Sequence, residues 1–483
     1  MANEEVLSGI TELNGPNTLN RDLLNSLLSE SLKNLGKKII VLDDDPTGVQ
    51  TVHGVSVYTD WTQESIRAGF EEKNSLFFIL TNSRSLTSEE SRFLHEEIAH
   101  NILAVSMEKG IDFIIISRSD STLRGHYPLE TEVLRQIIEK NSDQCFDGEI
   151  ICPFFKEGGR YTMDNIHYVA ENDRLIPVGQ SEFAHDKTFG FVSSHLGEWC
   201  EEKSSGEYKK DHMVYISLDS LRTMDIKGIL DSLLKVNNFN KIIVNAIDYT
   251  DITVFALALI KAVKQGKRFL FRSAASLVRV MGGIPDKPLL TADGLIKKGE
   301  KNGGLIVIGS HVNKTTRQLD RLKDNPDIVF IEFNQHLVFD PEAIKKEMER
   351  VSSLCTGHIK NGKTVAVYTR RDRLDLKTAD REEQLNISTR ISDAVTGTVA
   401  MLGARPAYII AKGGITSSDI GVKALKVKKA VVAGQISPGI PVWLLGAESR
   451  YPGLAYIIFP GNVGADNTLK EIFEALNKGG IQK

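Results

Sequence analysis

Short apolar, β-rich runs alternate with amphipathic helical stretches along most of this 483-residue chain, and this alternation constrains the fold more than any other sequence feature. In the first half the runs are KIIVL, SLFFILT, DFIIIS, GEIIC, MVYISL, KIIVNA and RFLFR. Each is followed by a polar or glycine-containing turn and a helix-like segment such as residues 88–110. Strands that are apolar on both faces belong to parallel sheets covered by helices. The pattern therefore predicts an α/β fold with mainly parallel sheets.

The alternation breaks after Met281. Residues 282–304 are rich in Gly, Pro and Lys and carry no strand-like run, which is typical of a domain boundary. A second α/β series follows, with the runs LIVIGS, IVFIEF, KTVAVYT, AYIIAKGG, KAVVAG, PVWLLG and AYIIFPG. We therefore predict two α/β domains, in the arrangement 1–37 helical extension, 38–281 first domain, 282–304 linker and 305–483 second domain.

Composition and charge exclude several classes of protein. The net charge of −4 argues against the broad basic surface of a nonspecific nucleic-acid binder. The four cysteines have no CxxC or Cys/His ligand spacing, so neither a zinc site nor a disulfide framework is indicated. The N-terminal residues lack a secretory pattern, and no apolar run reaches the roughly 18 residues of a membrane span. We expect a soluble protein in a reduced, cytoplasmic setting, without a nucleic-acid or membrane partner.

Polar residues follow the strand-like runs of the first domain. In open parallel sheets, ligands bind beyond the carboxyl ends of the strands, so these are the residues that matter most. Arginine recognises a carboxylate or phosphate through paired hydrogen bonds, and a carboxylate can accept the proton of a hydroxyl group. A small polyhydroxylated acid would suit this edge. The segments in question are Asp43 to Gly48, Thr81 to Arg84, Ser117 to Gly125, and Cys152 to Arg160.

Structural alternatives remain open for several of these residues. A single Asp at a strand end is often a turn former, and this alternative is strongest for Asp45, which directly precedes Pro-Thr-Gly. Three consecutive aspartates repel one another unless a positive group or a proton-accepting role compensates, so Asp43 and Asp44 are the functional candidates. Residues 119–125 have the alternative of an N-capped helix with a surface arginine. The His-Tyr pair at 167–168 fits packing equally well.

The second domain predicts a different chemistry. Small residues stand where strands give way to loops at Gly309-Ser310, at 413–416 and at 461–464. Glycine lets the chain approach a ligand closely, and exposed backbone N–H groups at such places hold phosphates. The sequence contains neither GxxxxGK[ST] nor GxGxxG, so it predicts a nucleotide site that is neither a P-loop nor a standard dinucleotide fold.

Taken together, the strand-DDDPTG opening, TNSRS, SDSTLRG, PFFKEGGRYT with HYV behind it, and the distal GS, KGGIT and GNVG resemble the four-carbon acid sugar kinase family. The resemblance runs over nearly the whole chain from the first strand onward. It implies ATP-dependent phosphorylation of the terminal hydroxyl of threonate, erythronate or a 3-oxo-tetronate. It also implies that the first domain binds the acid sugar, that the second binds the nucleotide, and that the active site lies in the cleft between them.

The resemblance also implies roles for individual residues, with ATP and Mg²⁺ as cofactors and the metal ligands left unassigned. The catalytic candidates are Asp43 and Asp44. The substrate-binding candidates are Arg84, Asp120, Ser121, Thr122, Arg124, Gly159 and Arg160. The nucleotide-binding candidates are Ser310, Gly413, Gly414, Ile415, Thr416 and Gly461.

Three departures from the family pattern mark a subgroup. This chain has DDDPTG where many members have DDLTG, Arg118 where they have lysine, and FPGNVG at 459–464 where they have Lys-Ser-Gly-Asn-Phe-Gly. A branched acid sugar such as 3-oxo-isoapionate is therefore an alternative substrate, and a non-catalytic acid-sugar sensor is an alternative function. An oxidoreductase is disfavoured because aspartates stand where a dinucleotide fold needs a glycine-rich turn. Spacing does not give the oligomeric state, for which a homodimer is the expectation.

Overall fold

Two structural units divide the chain. A computed structural model describes residues 5–8, 19–172, 174–372, 374 and 381–477, and the side chains of all of these except 381–386. Unit 1 consists of Met1–Thr51 and Asp60–Asp286, and unit 2 consists of Val52–Thr59 and Lys287–Lys483. The predicted fold class is confirmed, because each unit contains a mainly parallel sheet with helices between its strands.

The strands account for every apolar run that the sequence predicts as a strand. In chain order they are β1 (Leu7–Ser8), β2 (Lys38–Asp43), β3 (Ser56–Tyr58), β4 (Leu76–Leu80), β5 (Phe113–Arg118), β6 (Gly148–Cys152), β7 (Arg160–Met163), β8 (Ile166–Glu171), β9 (Arg174–Pro177), β10 (Val214–Ile216), β11 (Asn240–Val244), β12 (Phe269–Ser273), β13 (Leu305–Ile308), β14 (Ile328–Phe333), β15 (Thr364–Thr369), β16 (Tyr408–Lys412), β17 (Lys429–Ser437), β18 (Ile440–Leu445) and β19 (Ala455–Phe459).

The α-helices lie mostly between successive strands. They are α1 (Arg21–Lys33), α2 (Gln63–Glu71), α3 (Ser88–Lys109), α4 (Leu129–Asn141), α5 (Leu196–Lys203), α6 (Leu218–Arg222), α7 (Ile226–Lys235), α8 (Tyr249–Lys264), α9 (Ala275–Met281), α10 (Asn313–Lys323), α11 (Pro341–Lys360), α12 (Arg381–Ala400), α13 (Gly414–Asp419) and α14 (Thr468–Asn477). None of these described helices is long and apolar enough to cross a membrane.

The central sheet of unit 1 has seven parallel strands in the order β10-β11-β6-β12-β5-β2-β4. The strand β2 is buried along its whole length and is flanked by β5 and β4, as is typical of a central strand in a parallel sheet. Since all seven strands run the same way, their carboxyl ends meet at one edge. The end of β2 at Asp43 is opposite Arg118 of β5 and Leu80 of β4.

A small antiparallel sheet in the order β1-β9-β8-β7 also belongs to unit 1, and the sequence does not predict it. Its strands are two to six residues long. Such short segments carry too little alternation to stand out. This sheet matters for the site because β7 begins at Arg160 and β8 contains His167.

The sheet of unit 2 has the order β3-β17-β18-β19-β16-β13-β15-β14. The five strands β19, β16, β13, β15 and β14 are parallel, whereas β3, β17 and β18 pair antiparallel. Residues 52–59, which the sequence prediction gives to the first domain, belong to unit 2 because β3 pairs with β17.

The segment predicted as a linker is divided between the units at 286/287. Its larger part is packed onto unit 2, because the Leu290 amide donates to the Gln435 carbonyl at 2.7 Å and Leu295 is buried in the core of that unit. The predicted helical extension at 1–37 contains α1 and also β1, while residues 1–4 and 9–18 lie outside the described ranges.

Candidate functional site

The end of β2 places Asp43 and Asp44 around one arginine. Arg118 Nη1 lies 3.0 Å from Asp43 Oδ1 and 3.4 Å from Asp44 Oδ1. Both carboxylates are nearly inaccessible, with 1% and 3% of the residue exposed. Burial raises the pKa of Asp43 to about 7 and that of Asp44 to about 6, against the opposing effect of the neighbouring arginines. Burial thus moves both pKa values toward neutral pH, where a general base is most effective.

Asp45 has a different environment and shapes the turn. Its Oδ1 accepts a hydrogen bond from the Thr47 amide at 2.8 Å, and its carbonyl accepts one from the Gly48 amide at 3.0 Å. A side chain at Gly48 would collide with the Asp43 carboxylate, since an added Cβ would lie 2.0 Å from its Oδ1. The glycine thus lets the turn close over Asp43. Burial opposes ionisation of Asp45, but Arg84 and hydrogen bonds from Thr47 together lower its pKa.

The loop after β5 wraps around Asp44. The Asp120 amide donates to Asp44 Oδ2 at 3.2 Å. Arg84 Nη1 lies 3.2 Å from Asp120 Oδ1, and Arg124 Nε donates to Asp120 Oδ2 at 2.8 Å. Burial alone would raise the pKa of Asp120, but Arg124 and Arg84 outweigh it and hold that pKa well below the usual range. Arg84 also pairs with Asp45. We call Asp43, Asp44, Asp45 and Asp120, with Arg84, Arg118 and Arg124, the charge cluster.

Arg160 lies next to this cluster and packs on an aromatic ring, a contact that the sequence does not predict. The guanidinium carbons of Arg124 and Arg160 lie 5.0 and 5.6 Å from the ring centre of Phe183. Asp186, in the same turn-rich segment as Phe183, lies 3.7 Å from Arg124 Nη1. No motif marks these two residues, because their segment has neither a strand nor a glycine signature. Only the fold brings them to the arginines.

Other predicted residues of the first domain have local structural roles. The Thr122 hydroxyl donates to Asp120, and the Ser121 carbonyl accepts a hydrogen bond from His167 Nε2 at 2.8 Å. His167 is fully buried, and burial lowers its pKa to about 3, so the neutral ring supports the loop from below. Gly159 adopts a φ of +71°, and an added Cβ would lie 2.8 Å from Ala170 Cβ, so the turn itself requires this glycine.

A further arginine, Arg272 at the end of β12, lies beneath the same loop. Its Nη2 donates to the Arg124 carbonyl at 3.2 Å, and only 1% of the residue is exposed. Burial lowers the pKa of this arginine, whereas Asp120 and Asp44 raise it. A sequence signal existed, because Arg272 is a charged residue at the end of the apolar run RFLFR.

In unit 2 the predicted nucleotide residues converge on two hydroxyls. A Cβ added at Gly309 would lie 2.3 Å from Thr416 Oγ1, and one at Gly413 would lie 3.2 Å from both Ser310 Cβ and Thr416 Oγ1. At Gly461 it would lie 3.0 Å from Ser310 Oγ. Three strand ends, those of β13, β16 and β19, therefore meet at one place that is open only because glycines stand there.

The loop after β19 is held by its carbonyl groups. Lys412 Nζ, at the end of β16, lies 2.6 Å from the Pro460 carbonyl oxygen and 3.2 Å from that of Gly461. The Thr315 hydroxyl of α10 donates to Gly461 at 3.0 Å, and Gln318 Nε2 donates to Val463 at 3.1 Å. Because C=O and N–H point opposite ways in a trans peptide, the amides that follow these carbonyls face away from Lys412 and α10. Such a run of amides suits an anion.

Lys412 is itself fully buried, and burial together with Lys314 lowers its pKa to about 7. Beside the glycines, Ile415 and Val312 keep 63% and 47% of their surface exposed. Gly414 begins α13. The three glycine-lined strand ends fit a phosphate chain. Among the described residues there is no group of three or more His, Cys, Asp or Glu side chains arranged to hold a metal ion.

Comparison with known proteins agrees with this division of labour. A family model described as a sugar-binding N-terminal domain matches residues 39–281, and one described as a nucleotide-binding C-terminal domain matches residues 305–469. No curated protein matches the chain.

Two solved structures share the fold. A Haemophilus influenzae protein of family DUF1537 is 18% identical, with 91% of this chain and 99% of that chain covered and a TM-score of 0.59. A protein from Salmonella typhimurium LT2 is 14% identical, with coverage of 90% and 98% and a TM-score of 0.63. At these identities the likeness shows the fold alone.

Proposed function

Since this chain belongs to the four-carbon acid sugar kinase family, whose pair of sugar-binding and nucleotide-binding domains it carries, we propose that it phosphorylates a small acid sugar with ATP. The observation that carries the proposal is the buried Asp43–Asp44 pair, which shares Arg118 at the carboxyl end of a parallel sheet. The proposed substrate class is a tetronate or 3-oxo-tetronate, and the proposed acceptor is its terminal hydroxyl.

Asp44 is the better placed of the two bases. Its carboxylate contacts the loop that carries Asp120 and lies 3.8 Å from the position of a Cβ at Gly125, whereas Asp43 is closed in by the turn at Gly48. Asp44 would accept the hydroxyl proton while the hydroxyl oxygen attacks the γ-phosphorus. The bond from that phosphorus to the β,γ-bridging oxygen then breaks, and ADP leaves. Arg84 and Arg118 would position the carboxylates and favour their ionised forms against the effect of burial.

The nucleotide side of the proposal rests on backbone. Gly309, Gly413 and Gly461 leave room for the phosphates, and the loop after β19 presents amides to them. Mg²⁺ would arrive on ATP, because it typically keeps several waters and binds through substrate phosphates with one or two carboxylates rather than in a dedicated protein cage. When bound, it would neutralise charge on those phosphates.

Turnover distinguishes a kinase from an acid-sugar sensor. ADP release should be measured with ATP, Mg²⁺ and a panel of erythronate, threonate, their 3-oxo forms and a branched acid sugar. We expect release that depends on one or a few of these acids. Binding of an acid in calorimetry without any ADP release would favour the sensor instead.

A further inference from the structure

The arginines around the charge cluster are not equivalent. Arg118 is occupied by Asp43 and Asp44, and Arg84 is occupied by Asp45 and Asp120. Arg84 Nη1 also lies 4.0 Å from Asp44 Oδ2, so Arg118 has two carboxylate partners and Arg84 has three. Both arginines thus hold the aspartates in place.

Arg160 is the exception that a ligand can reach. In the described part of the chain no carboxylate lies within 4.0 Å of its guanidinium, and its Nη1 donates a hydrogen bond to the Gly158 carbonyl. Its Nε is buried without a hydrogen-bond partner among the described residues. Burial lowers the pKa of Arg160, Asp120 and Glu171 oppose this effect from a distance, and Arg124 adds to it. Arg160 is thus a cation without a directly paired carboxylate among the described residues.

Arg272 also lacks an ion pair among the described residues, but it cannot serve as a receptor. It is fully buried under the loop, and its Nη2 is used by the Arg124 carbonyl. Arg160 is only partly buried and begins a strand at the edge of the site. Accessibility therefore separates the two arginines.

Phe183 positions Arg160. The guanidinium carbons of Arg124 and Arg160 lie 5.0 and 5.6 Å from the centre of the Phe183 ring, so two like charges pack on one aromatic side chain. Asp120 and Asp186 offset the charge of Arg124. An anion placed beside Arg160 would remove the remaining repulsion, and a flat guanidinium matches a carboxylate through two parallel hydrogen bonds.

We propose that Arg160, packed on Phe183, binds the carboxylate of the acid substrate. This inference rests on the proposed function and deepens it. Asp120 lies between the two ends of the site, since one of its oxygens meets Arg84 on the side of Asp44 and the other meets Arg124 on the side of Phe183. The substrate would therefore lie with its terminal hydroxyl at Asp44 and its carboxylate at Arg160.

The test compares an acid with its neutral analogue. Erythronate, threonate and their carboxamides have the same carbon skeletons, and calorimetry with the full-length protein measures their affinities without requiring turnover. Arg160→Gln should weaken binding of the preferred acid about 10- to 100-fold, the range for a lost hydrogen bond to a charged group. It should leave the affinities for the carboxamide and for ATP unchanged. Equal loss for acid and carboxamide would overturn the proposal.

Two further variants keep the test decisive. Arg135→Gln is the matched control, because Arg135 stacks on Phe239 at 4.5 Å and pairs with Glu132, so it removes a similar arginine–phenylalanine contact elsewhere in unit 1. It should change neither affinity. Arg160→Lys keeps the charge without the planar guanidinium and should weaken binding of the acid alone, by an intermediate factor. This variant replaces Arg160→Gln if Arg160→Gln does not fold. Wild-type affinity for the acid in Arg160→Lys would overturn the proposal.

Phe183→Leu removes the aromatic ring but keeps the positive charge of Arg160. It should weaken acid binding by a smaller factor than Arg160→Gln, and the double variant should lose less than the product of the two factors, because the two residues act as one unit. If the two losses of affinity multiplied fully, Phe183 would not act through Arg160. If no four-carbon acid binds the wild type, the proposed function itself fails, whereas binding that ignores the carboxylate defeats only the inference about Arg160.

Discussion

The candidate acid site of unit 1 and the candidate nucleotide site of unit 2 are built from different materials. The first is a set of charged side chains at the ends of β2 and β5, in which each aspartate contacts at least one arginine. The second is mostly backbone, shaped by three glycines and two hydroxyls, with a buried lysine beneath it. Both occupy the carboxyl ends of parallel strands.

The difference teaches what each site can do. Charged side chains have pKa values that burial and neighbours can move, so the acid site can hold a proton acceptor tuned to neutral pH. Backbone amides do not titrate, and their direction is fixed by the fold. They suit phosphates, which need donors in constant positions rather than proton exchange.

The largest expected effect comes from removing the base. Asp44→Asn should lower kcat by about 10²- to 10⁴-fold, the usual contribution of general base catalysis, while the affinity for ATP stays unchanged. Steady-state ADP release and calorimetry measure the two quantities. Asp231→Asn on an exposed face of α7 is the matched control and should behave as the wild type. Full activity in both Asp44→Asn and Asp43→Asn would contradict the assignment of the pair.

A filled glycine should damage the other site alone. In Gly309→Ala the new methyl group would meet Thr416 Oγ1 at 2.3 Å, and relieving this contact should reduce ATP binding by about 1–3 kcal/mol. Acid binding should not change. Gly357→Ala in α11 is the control, because an added Cβ there has no neighbour within 4 Å. A weakened acid affinity in Gly309→Ala would break the separation of the two sites.

Stability should respond to pH in opposite directions at the two sites. For Asp43 and Asp44 the folded pKa values, about 7 and about 6, exceed the ordinary value of 3.8, so their contribution is complete below 3.8 and is lost as pH rises through 6 to 7. For Lys412 the folded pKa of about 7 is below the ordinary 10.5, so the unfolded chain binds more protons between these values and stability rises with pH there.

Calorimetric unfolding across pH measures both slopes. Relative to Asp43→Asn, the wild type should lose up to about 1.4 kcal/mol of unfolding free energy per pH unit between 3.8 and 7. Relative to Lys412→Met, it should gain up to the same amount per pH unit between 7 and 10.5. Parallel curves for the wild type and either variant would show that the group concerned does not titrate as described.

The smallest expected effect separates Asp45 from its neighbours. Asp45→Asn keeps the oxygen that accepts from the Thr47 amide and loses only the charge that pairs with Arg84. Arg84 retains Asp120 at 3.2 Å, so kcat/KM should fall by less than about tenfold, or about 1 kcal/mol. A loss as large as that of Asp44→Asn would mean that Asp45 takes part in the chemistry.

The sequence predicts the strands well because a buried parallel strand leaves a strong mark, an apolar run closed by a polar turn. It does not predict that β3 joins unit 2, because three residues carry no periodic signal and their partner is β17, far along the chain. The same reason hides the small sheet that presents Arg160.

At the sites, residue types next to strand ends were predictable, and their partners were not. The aspartates and arginines of the charge cluster follow apolar runs, so each stands out in the sequence. Phe183 and Asp186 sit in a turn-rich segment without a pattern, and only tertiary packing brings them to Arg124. Lys412 and Arg272 did leave a signal, since each is a charged residue at the end of an apolar run, but their roles depend on carbonyl groups remote in sequence.

The most direct test of the whole account is the fate of the γ-phosphoryl group. Phosphorus NMR of the full-length protein with ATP, Mg²⁺ and the four-carbon acid that best supports ADP release should show ADP and one new phosphate monoester on the terminal carbon in equal amounts. Inorganic phosphate as the sole product, or an ester at another carbon, would contradict the account.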